Sequence, residues 1–338
     1  QIEQELRKVV RGEVRFDPYS RALYSTDASN YQIEPLGVVI PRNTEDVIAT
    51  VELAHRYQVP ILPRGGGTSL AGQTVGRAII VDMSKYMNNL LEVNTEERWA
   101  RVQPGIVLDV LNHRLRETGL FFAPDPATSS RSNVGGAIGN NSCGSHSILY
   151  GKTVDQVKEV ETVLSNGEVA LLGPLTSSQL EAKLRGDGLE GQVYRQVTDI
   201  ANSNAAEIER RFPKIMRRVT GYNLDLLING LPLNLAKLIV GSEGTLATVT
   251  EAKLNLVPRP KTTALMVVHF QELIQAMEAT VATLEHGPSA VEVIGRFILD
   301  QVRTSLGYAR KITFIEGDPE CVLLVETAGD TEQEVAAK

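Results

Sequence analysis

Cysteine is nearly absent: the 338 residues hold two, Cys143 and Cys321. Two thiols exclude a disulfide framework, and they exclude an iron–sulfur cluster built from this stretch alone, which takes about four cysteines. A reducing compartment follows, so the expected location is the cytoplasm or the periphery of the inner membrane. Histidine is sparse as well, and His55, His113, His146, His269 and His286 lie scattered rather than clustered, so no metal site is expected. Positive charge is not in surplus. The 34 basic residues stand against 41 acidic ones, a net charge of −7, which leaves a nucleic-acid partner without electrostatic support. No apolar run approaches the ~20 residues of a membrane-spanning helix. The chain begins at Gln1 rather than Met, so nothing about a leader follows from its first residues.

What the chain does have is glycine in clusters. Residues 63–74 read PRGGGTSLAGQT, between the apolar runs 59–62 and 78–82. Both runs have the look of buried strands, which makes the glycines a tight loop between them. Three residues without Cβ let the backbone turn sharply and approach a ligand. Successive N–H groups then converge on an anion, and Thr68 and Ser69 add hydroxyl donors. The loop is a cradle for a phosphate or pyrophosphate.

Two familiar cradles do not fit. Gly67, Gly72 and Thr74 imitate a Walker A motif, but Gln73 occupies the place of the lysine that carries charge to the terminal phosphates. A Rossmann fingerprint fails because Leu70 stands where the third glycine belongs. A surface turn without a ligand would explain one such triplet, but not a second cluster. Residues 124–151, PDPATSSRSNVGGAIGNNSCGSHSILYG, hold five glycines with short hydroxyl and amide side chains and almost no charge. Val134, Ala137, Ile138, Ile148 and Leu149 thread through them, which marks an ordered segment rather than a linker. Neutral donors and open backbone suit a large planar ligand rich in carbonyls and ring nitrogens. A third element, GSEGTLATVT at 241–250, again sets glycines before a strand.

These three elements, in this order, resemble the FAD-binding domain of the vanillyl-alcohol oxidase and para-cresol methylhydroxylase (PCMH) superfamily, and most of all its FAD-linked D-2-hydroxyacid dehydrogenases, which act on D-lactate, glycolate and D-2-hydroxyglutarate. The resemblance runs from about residue 32 to 259, and Tyr24, Ser25, Thr26 and Asp27 resemble the segment that precedes the domain in this branch. Residues 140–147, NNSCGSHS, are similar to large bacterial proteins that join this flavin module to a C-terminal iron–sulfur module.

The resemblance implies roles. Arg64, Gly65, Gly66, Gly67, Thr68, Ser69 and Leu70 would hold the FAD pyrophosphate, with an ion pair as the alternative use of Arg64. Pro124, Asp125 and Thr128 would line the ribityl side. Gly135, Gly136, Gly139, Asn140, Ser142, Cys143 and Gly144 would pass along the flavin ring, with His146 touching it or holding substrate. Glu243, Gly244 and Val249 match the adenosine end, although Glu243 is equally suited to accept from neighbouring N–H groups. The family sometimes attaches FAD through a histidine in the first loop; none is present, so noncovalent FAD is expected. Cys143 with His146 would supply two metal ligands or a Cys–His nucleophile, but two ligands do not make a zinc site. Tyr150 serves packing as readily as function.

The implied reaction is oxidation of a small 2-hydroxy acid to the 2-oxo acid, with hydride passing to flavin N5 and electrons onward to an iron–sulfur module of the full-length protein or another acceptor. It requires a base for the hydroxyl proton and a cation for the carboxylate. Metal-using members take their ligands from a His-rich region after the cap, which this chain does not contain. The catalytic base is therefore expected to lie outside this stretch; the candidate catalytic residues within it are His146, at flavin N5 or on the substrate, and Arg296 and Arg303, for the substrate carboxylate. The alternatives are an NADPH-dependent reductase on the same cofactor fold and a noncatalytic module that binds nucleotide or docks a redox partner.

Pattern and spacing place a helical lead-in over residues 1–31 and an FAD-binding domain over 32–259. A partial substrate or cap domain is expected over 260–338, read as cut inside the cap. Helix is expected at 45–57 behind an Asn43–Thr44 cap, at 107–118 and through most of 174–235. Strands are expected at 37–41, at 90–93 with 99–103 as a hairpin, and at 154–164 with 168–172 about the Asn166-Gly167 turn, with more at 245–257, 265–270 and 321–327. Further helices are expected at 272–284 and 297–306. The fold class is α+β: a PCMH-type domain of two α/β subdomains, then the start of an α+β cap.

Overall fold

The computed structural model describes residues 1–228 and 232–338. Contacts divide it into two compact units, residues 1–143 with 152–257, and residues 144–151 with 258–338.

The first unit contains two sheets. In the first, strands β1 (Glu13–Arg15), β2 (Gly37–Ile40), β3 (Ile61–Arg64) and β4 (Ile79–Asp82) lie in the order β1-β2-β4-β3. β2, β4 and β3 are parallel, with Gly37 opposite Ile79 and Ile61 opposite the same residue. Every residue of β2 and β4 is buried, as apolar strands of a parallel sheet should be, and the buried Asp82 that closes β4 accepts from Tyr24. Residues 1–31 hold helices α1 (Ile2–Val9) and α2 (Pro18–Leu23), but also β1, which adds an antiparallel edge by pairing Val14 with Val39. A three-residue strand is too short to register as an alternation in sequence, so a helical lead-in was the only pattern visible there.

Helix α3 (Thr44–Tyr57) connects β2 to β3. The Asn43 side chain caps it by accepting from the Asp46 N–H, and Val47, Val51, Leu53 and Ala54 form its buried face. The Asp46 carboxylate, 1% exposed, accepts from the N–H groups of Arg11, Gly12 and Arg42, which ties the N-terminal segment to the helix start.

The second sheet is antiparallel. Its strands are β5 (Leu90–Asn94), β6 (Trp99–Val102), β7 (Val157–Val163), β8 (Val169–Leu172) and β9 (Thr248–Asn255), in the order β5-β6-β9-β7-β8. β9 alternates strictly between buried and half-buried residues. The β7–β8 hairpin turns at Asn166-Gly167, where Gly167 has φ 92°, a conformation that glycine adopts without strain. The large core packs helix α4 (Leu108–Arg114) and the long helix Leu189–Ser203 against this sheet through Leu108, Leu111, Tyr194, Val160 and Leu254. Val163 also belongs to a smaller cluster with Val47, Val51 and Val81, so the two sheets share apolar contacts.

Three segments differ from expectation. Residues 134–140, read as loop, form helix α5 (Val134–Asn140). Residues 153–156 make a helical turn ahead of β7. Between 212 and 228 the only regular element is a short turn at Leu224–Leu226 rather than continued helix. Among the described residues no helix is long and apolar enough to cross a membrane.

The second unit is a three-stranded antiparallel sheet, β10 (Thr262–Phe270), β11 (Ala290–Gly295) and β12 (Cys321–Gly329), in the order β10-β12-β11. Leu265 and Ala290 both pair with Glu326 across the central strand. Helices Leu273–Leu284 and Arg296–Thr304 follow β10 and β11, close to the expected spans. β11 itself was not anticipated.

Candidate functional site

All three glycine elements line openings in the first unit. The loop after β3, helix α5 and residues 239–249 enclose a cleft with about 670 Å³ of open space. A second opening, about 800 Å³, runs along the loop itself and the start of α5. Gly65, Gln73, Thr74, Gly136 and Asn140 line both, so the two form one continuous trough suited to an elongated ligand.

The glycines divide the work differently from the sequence reading. A Cβ on Gly65 would come within 2.7 Å of Asn133 Oδ1, one on Gly66 within 2.3 Å of the Arg131 carbonyl, and one on Gly67 within 2.7 Å of Arg64. The triplet is therefore required by the wall behind it. In α5, Gly135 presses on Pro104 in the same way, at 2.8 Å. Gly136 is different: a Cβ there would meet nothing within 4 Å, and it lines both openings. The missing side chain at 136 keeps the trough open. α5 went unread because a helix carrying three glycines has no helix-favouring composition.

Arg64 lines the cleft, but its guanidinium is committed to the protein. It donates to the carbonyls of Tyr24 (3.1 Å), Thr74 (3.0 Å) and Thr26 (2.7 Å) and stacks 5.2 Å from the Tyr24 ring. The partners are carbonyl groups rather than the anticipated carboxylate. Burial pushes its pKa down, against the nearby charge of Asp82. Tyr24 in turn donates to Asp82 at 2.5 Å, and burial together with that carboxylate raises the phenol's pKa. Thr74 Oγ1 donates to Asp27 at 2.9 Å. Tyr24, Thr26 and Asp27 thus brace the loop from behind.

In the loop-side opening, Thr68 Oγ lies 3.1 Å from Ser132 Oγ, which lies 2.6 Å from Thr128 Oγ. Sequence reading named Thr68 and Thr128 but missed Ser132, which stands four residues beyond Thr128 and whose N–H donates to the Thr128 carbonyl. Ser69 Oγ is taken up by the N–H of Gln73 at 3.2 Å, and Leu70 is 80% exposed. Gly66, Gly67, Thr68, Ser69, Leu70 and Ser142 line this opening with Thr128. Gly135, Gly139, Glu243, Gly244 and Val249 line the deeper cleft. Glu243 has φ 53° and donates its N–H to the Gly139 carbonyl at 3.0 Å, joining α5 to the third element. Pro124, Asp125 and Cys143 line neither opening. Met83, Pro104, Ile239 and Ala247 supply apolar wall that the glycine motifs gave no hint of.

Gly144 and His146 belong to the second unit. His146 Nε2 lies 2.9 Å from Glu326 Oε1, which also accepts from Ser289 Oγ at 2.7 Å. Burial and the Glu326 charge raise the Tyr150 pKa. Arg296 and Arg303 share two acids: Arg296 reaches Asp300 and Asp318 at 3.0 Å each, and Arg303 reaches them at 3.4 and 2.7 Å. Among the described residues no group of three or more His, Cys, Asp or Glu is arranged to hold a metal.

Comparison with known proteins agrees with the trough. Residues 35–173 match the FAD binding domain family, and residues 259–338 match the C-terminal domain of FAD linked oxidases. The chain is similar to a D-2-hydroxyglutarate dehydrogenase of Pseudomonas putida, 39% identical over 336 residues, covering 97% of this chain and 33% of that one. It is similar to the Escherichia coli D-2-hydroxyglutarate dehydrogenase at 37% identity, covering 92% and 32%. A glycolate oxidase subunit of Bacillus subtilis is 32% identical over 80% of this chain and 47% of its own length. The chain thus spans about a third of the length of the first of these relatives. Among solved structures, an alkyldihydroxyacetonephosphate synthase superposes with a TM-score of 0.69 at 21% identity, covering 99% of this chain and 57% of that one, which is a likeness of fold.

Proposed function

The chain belongs to the FAD-linked oxidases of the PCMH type, and on that premise we propose that it is the flavin-holding portion of an FAD-dependent dehydrogenase that oxidises a D-2-hydroxy acid to the 2-oxo acid. D-2-hydroxyglutarate is the favoured substrate and D-lactate the next. The observation that carries this reading is the 39% identity across 97% of the chain to a D-2-hydroxyglutarate dehydrogenase, together with a trough whose walls suit a dinucleotide.

The residues fit FAD. Converging loop backbone and the Thr68–Ser132–Thr128 hydroxyls suit a diphosphate, Gly136 leaves room for ligand, and Glu243, Gly244 and Val249 suit the adenosine end. When bound, FAD supplies the acceptor for the hydride that leaves the substrate carbon. We take the cofactor to be dissociable, because no histidine is among the residues lining either opening. The substrate carboxylate is not assigned to Arg296 or Arg303, whose guanidinium groups are held by Asp300 and Asp318. His146, paired with Glu326, remains the candidate for touching flavin or holding substrate, and the base is left to the rest of the longer protein. Electrons pass to an iron–sulfur module of a longer protein, or to another acceptor, in the cytoplasm or at the inner-membrane periphery.

The test is a visible spectrum of the purified chain, repeated on the supernatant after heat denaturation, followed by anaerobic titration of the longer protein. Flavin released to the supernatant and bleached by D-2-hydroxyglutarate supports the reading. Flavin retained in the pellet refutes dissociability. Bleaching by NADPH instead identifies a reductase, and no bleaching by any donor leaves a noncatalytic module.

A further inference from the structure

Glu326 is the one acid on β12, after Cys-Val-Leu-Leu-Val and before Thr-Ala-Gly. The strand is central in its sheet, and Glu326 is paired with Leu265 on one side and Ala290 on the other, which fixes its backbone. Ser289, 3% exposed, fixes the side chain as well. Its N–H donates to the Glu326 carbonyl at 2.7 Å, and its hydroxyl donates to Glu326 Oε1 at 2.7 Å. The same Oε1 lies 2.9 Å from His146 Nε2, so the ring carries the hydrogen between them. His146 stands at the start of the helical turn Ser147–Tyr150, its carbonyl accepting from the N–H groups of Leu149 and Tyr150, and that turn packs against β11. The other ring nitrogen, Nδ1, lies 3.4 Å from Ser145 Oγ. All of these residues belong to the second unit.

Packing gives no reason for an acid at this place. An apolar residue would extend the run of β12 without giving up solvation, and an ion pair this open to solvent returns little of that loss. What the carboxylate achieves is direction. One oxygen receives both the serine hydroxyl and the imidazole, so the ring is pinned at Nε2 to the most rigid strand of the unit. We propose that Glu326 is a positioning residue for the dehydrogenase reaction: held by Ser289, it sets the orientation of the His146 ring and keeps a hydrogen on Nε2. The inference rests on the reading above, in which His146 serves flavin or substrate. A side chain that meets a small substrate has to be held within a fraction of an ångström, and a ring on a four-residue helical turn has no such restraint of its own.

The test has two arms. In the longer protein, single-turnover flavin reduction by D-2-hydroxyglutarate is followed for Glu326→Ala, Glu326→Gln, His146→Ala and the double variant Glu326→Ala with His146→Ala. Glu326→Ala should slow reduction about ten- to a hundredfold. Glu326→Gln should recover to within about fivefold of wild type, because both donors use Oε1 and an amide oxygen still accepts from both. The double variant should be no slower than His146→Ala alone, since Glu326 acts through that ring. Losses that add overturn the proposal, as does a lower thermal midpoint with the rate per bound flavin unchanged, the mark of a purely structural pair. The second arm needs no flavin. Nitrogen NMR of the histidine rings in the flavin-free chain, with His146 identified by the signal lost in His146→Ala, should show hydrogen held on Nε2 in wild type and Glu326→Gln and released in Glu326→Ala. Identical His146 spectra in wild type and Glu326→Ala overturn the proposal. Wild-type protein that no 2-hydroxy acid reduces defeats the dehydrogenase reading, while the spectra still decide whether Glu326 fixes the ring, so the two failures are distinguishable.

Discussion

Arg64 donates to the carbonyl of Thr74 at 3.0 Å, so the residue that enters the glycine loop grips the residue that leaves it. The same guanidinium also satisfies the carbonyls of Tyr24 and Thr26. A planar fork can serve three acceptors at fixed angles, whereas an ammonium on a flexible stem cannot. Arg64→Lys is expected to lower stability by about 1–2 kcal/mol, and Arg64→Met by about 3 kcal/mol, since three carbonyls then lose a charged donor. Urea denaturation of the flavin-free chain measures both. Losses below about 0.5 kcal/mol would show that the loop does not depend on this clasp.

Asp46 makes a comparable clasp with backbone donors. Its carboxylate accepts from Arg11, Gly12 and Arg42 while almost fully buried. Asp46→Asn keeps the shape but turns one acceptor into a donor facing N–H groups, so a loss of about 2–3 kcal/mol is expected. Asp46→Ala should cost as much or more. Because α3 leads into β3, the strand that enters the glycine loop, the same variants should also weaken FAD binding, read by flavin fluorescence.

The legible parts were those with a local signature. Asn43 before an amphipathic run announced α3, Asn166-Gly167 announced the β7–β8 hairpin, and the continuous apolar runs at 37–40 and 78–81 announced parallel strands. Glycine clusters marked the trough because few folds tolerate so many residues without side chains. What stayed hidden depends on distance in sequence. β1 exists because β2 offers an open edge, and α5 because Pro104 and Glu243 close on its glycines. Ser132 and Gln73 look like ordinary loop residues until folding sets one between two threonines and buries an oxygen of the other. Arg64 is the instructive case: a basic residue beside a phosphate-type loop suggested an anion, and its partners are carbonyls.

Glu13 gives the fold a pH dependence. Hydrogen bonds from Lys85 and Tyr86, and then from Arg15, hold its carboxyl down at about 2 from an ordinary 4.5. A lowered folded pKa means that the ionised group stabilises the fold above pH 4.5, and that this contribution is lost as pH falls toward 2. Glu13→Gln should therefore be less stable than wild type at pH 6, with the gap closing between pH 4.5 and 2. Parallel denaturation curves across that range test it. A gap that does not change with pH would mean the charge of Glu13 is not what anchors β1 to the segment carrying Lys85.

The two adjacent glycines of α5 offer the sharpest separation of folding from binding. A Cβ at Gly135 would lie 2.8 Å from Pro104 and 3.2 Å from its carbonyl oxygen, so Gly135→Ala forces the helix off its seat. The helix-propensity gain of up to about 1 kcal/mol is then outweighed by strain of about 1–3 kcal/mol, and the flavin-free chain should melt lower. At Gly136 the new atom meets nothing, so Gly136→Ala should leave the melting temperature equal or higher. Gly136→Leu extends the side chain into the trough from a position that lines both openings. That variant should fold like wild type by circular dichroism yet bind FAD at least tenfold more weakly, the cost of about 1.4 kcal/mol or more of lost contact. If Gly136→Leu binds FAD with wild-type affinity, the cofactor does not pass along this face of α5.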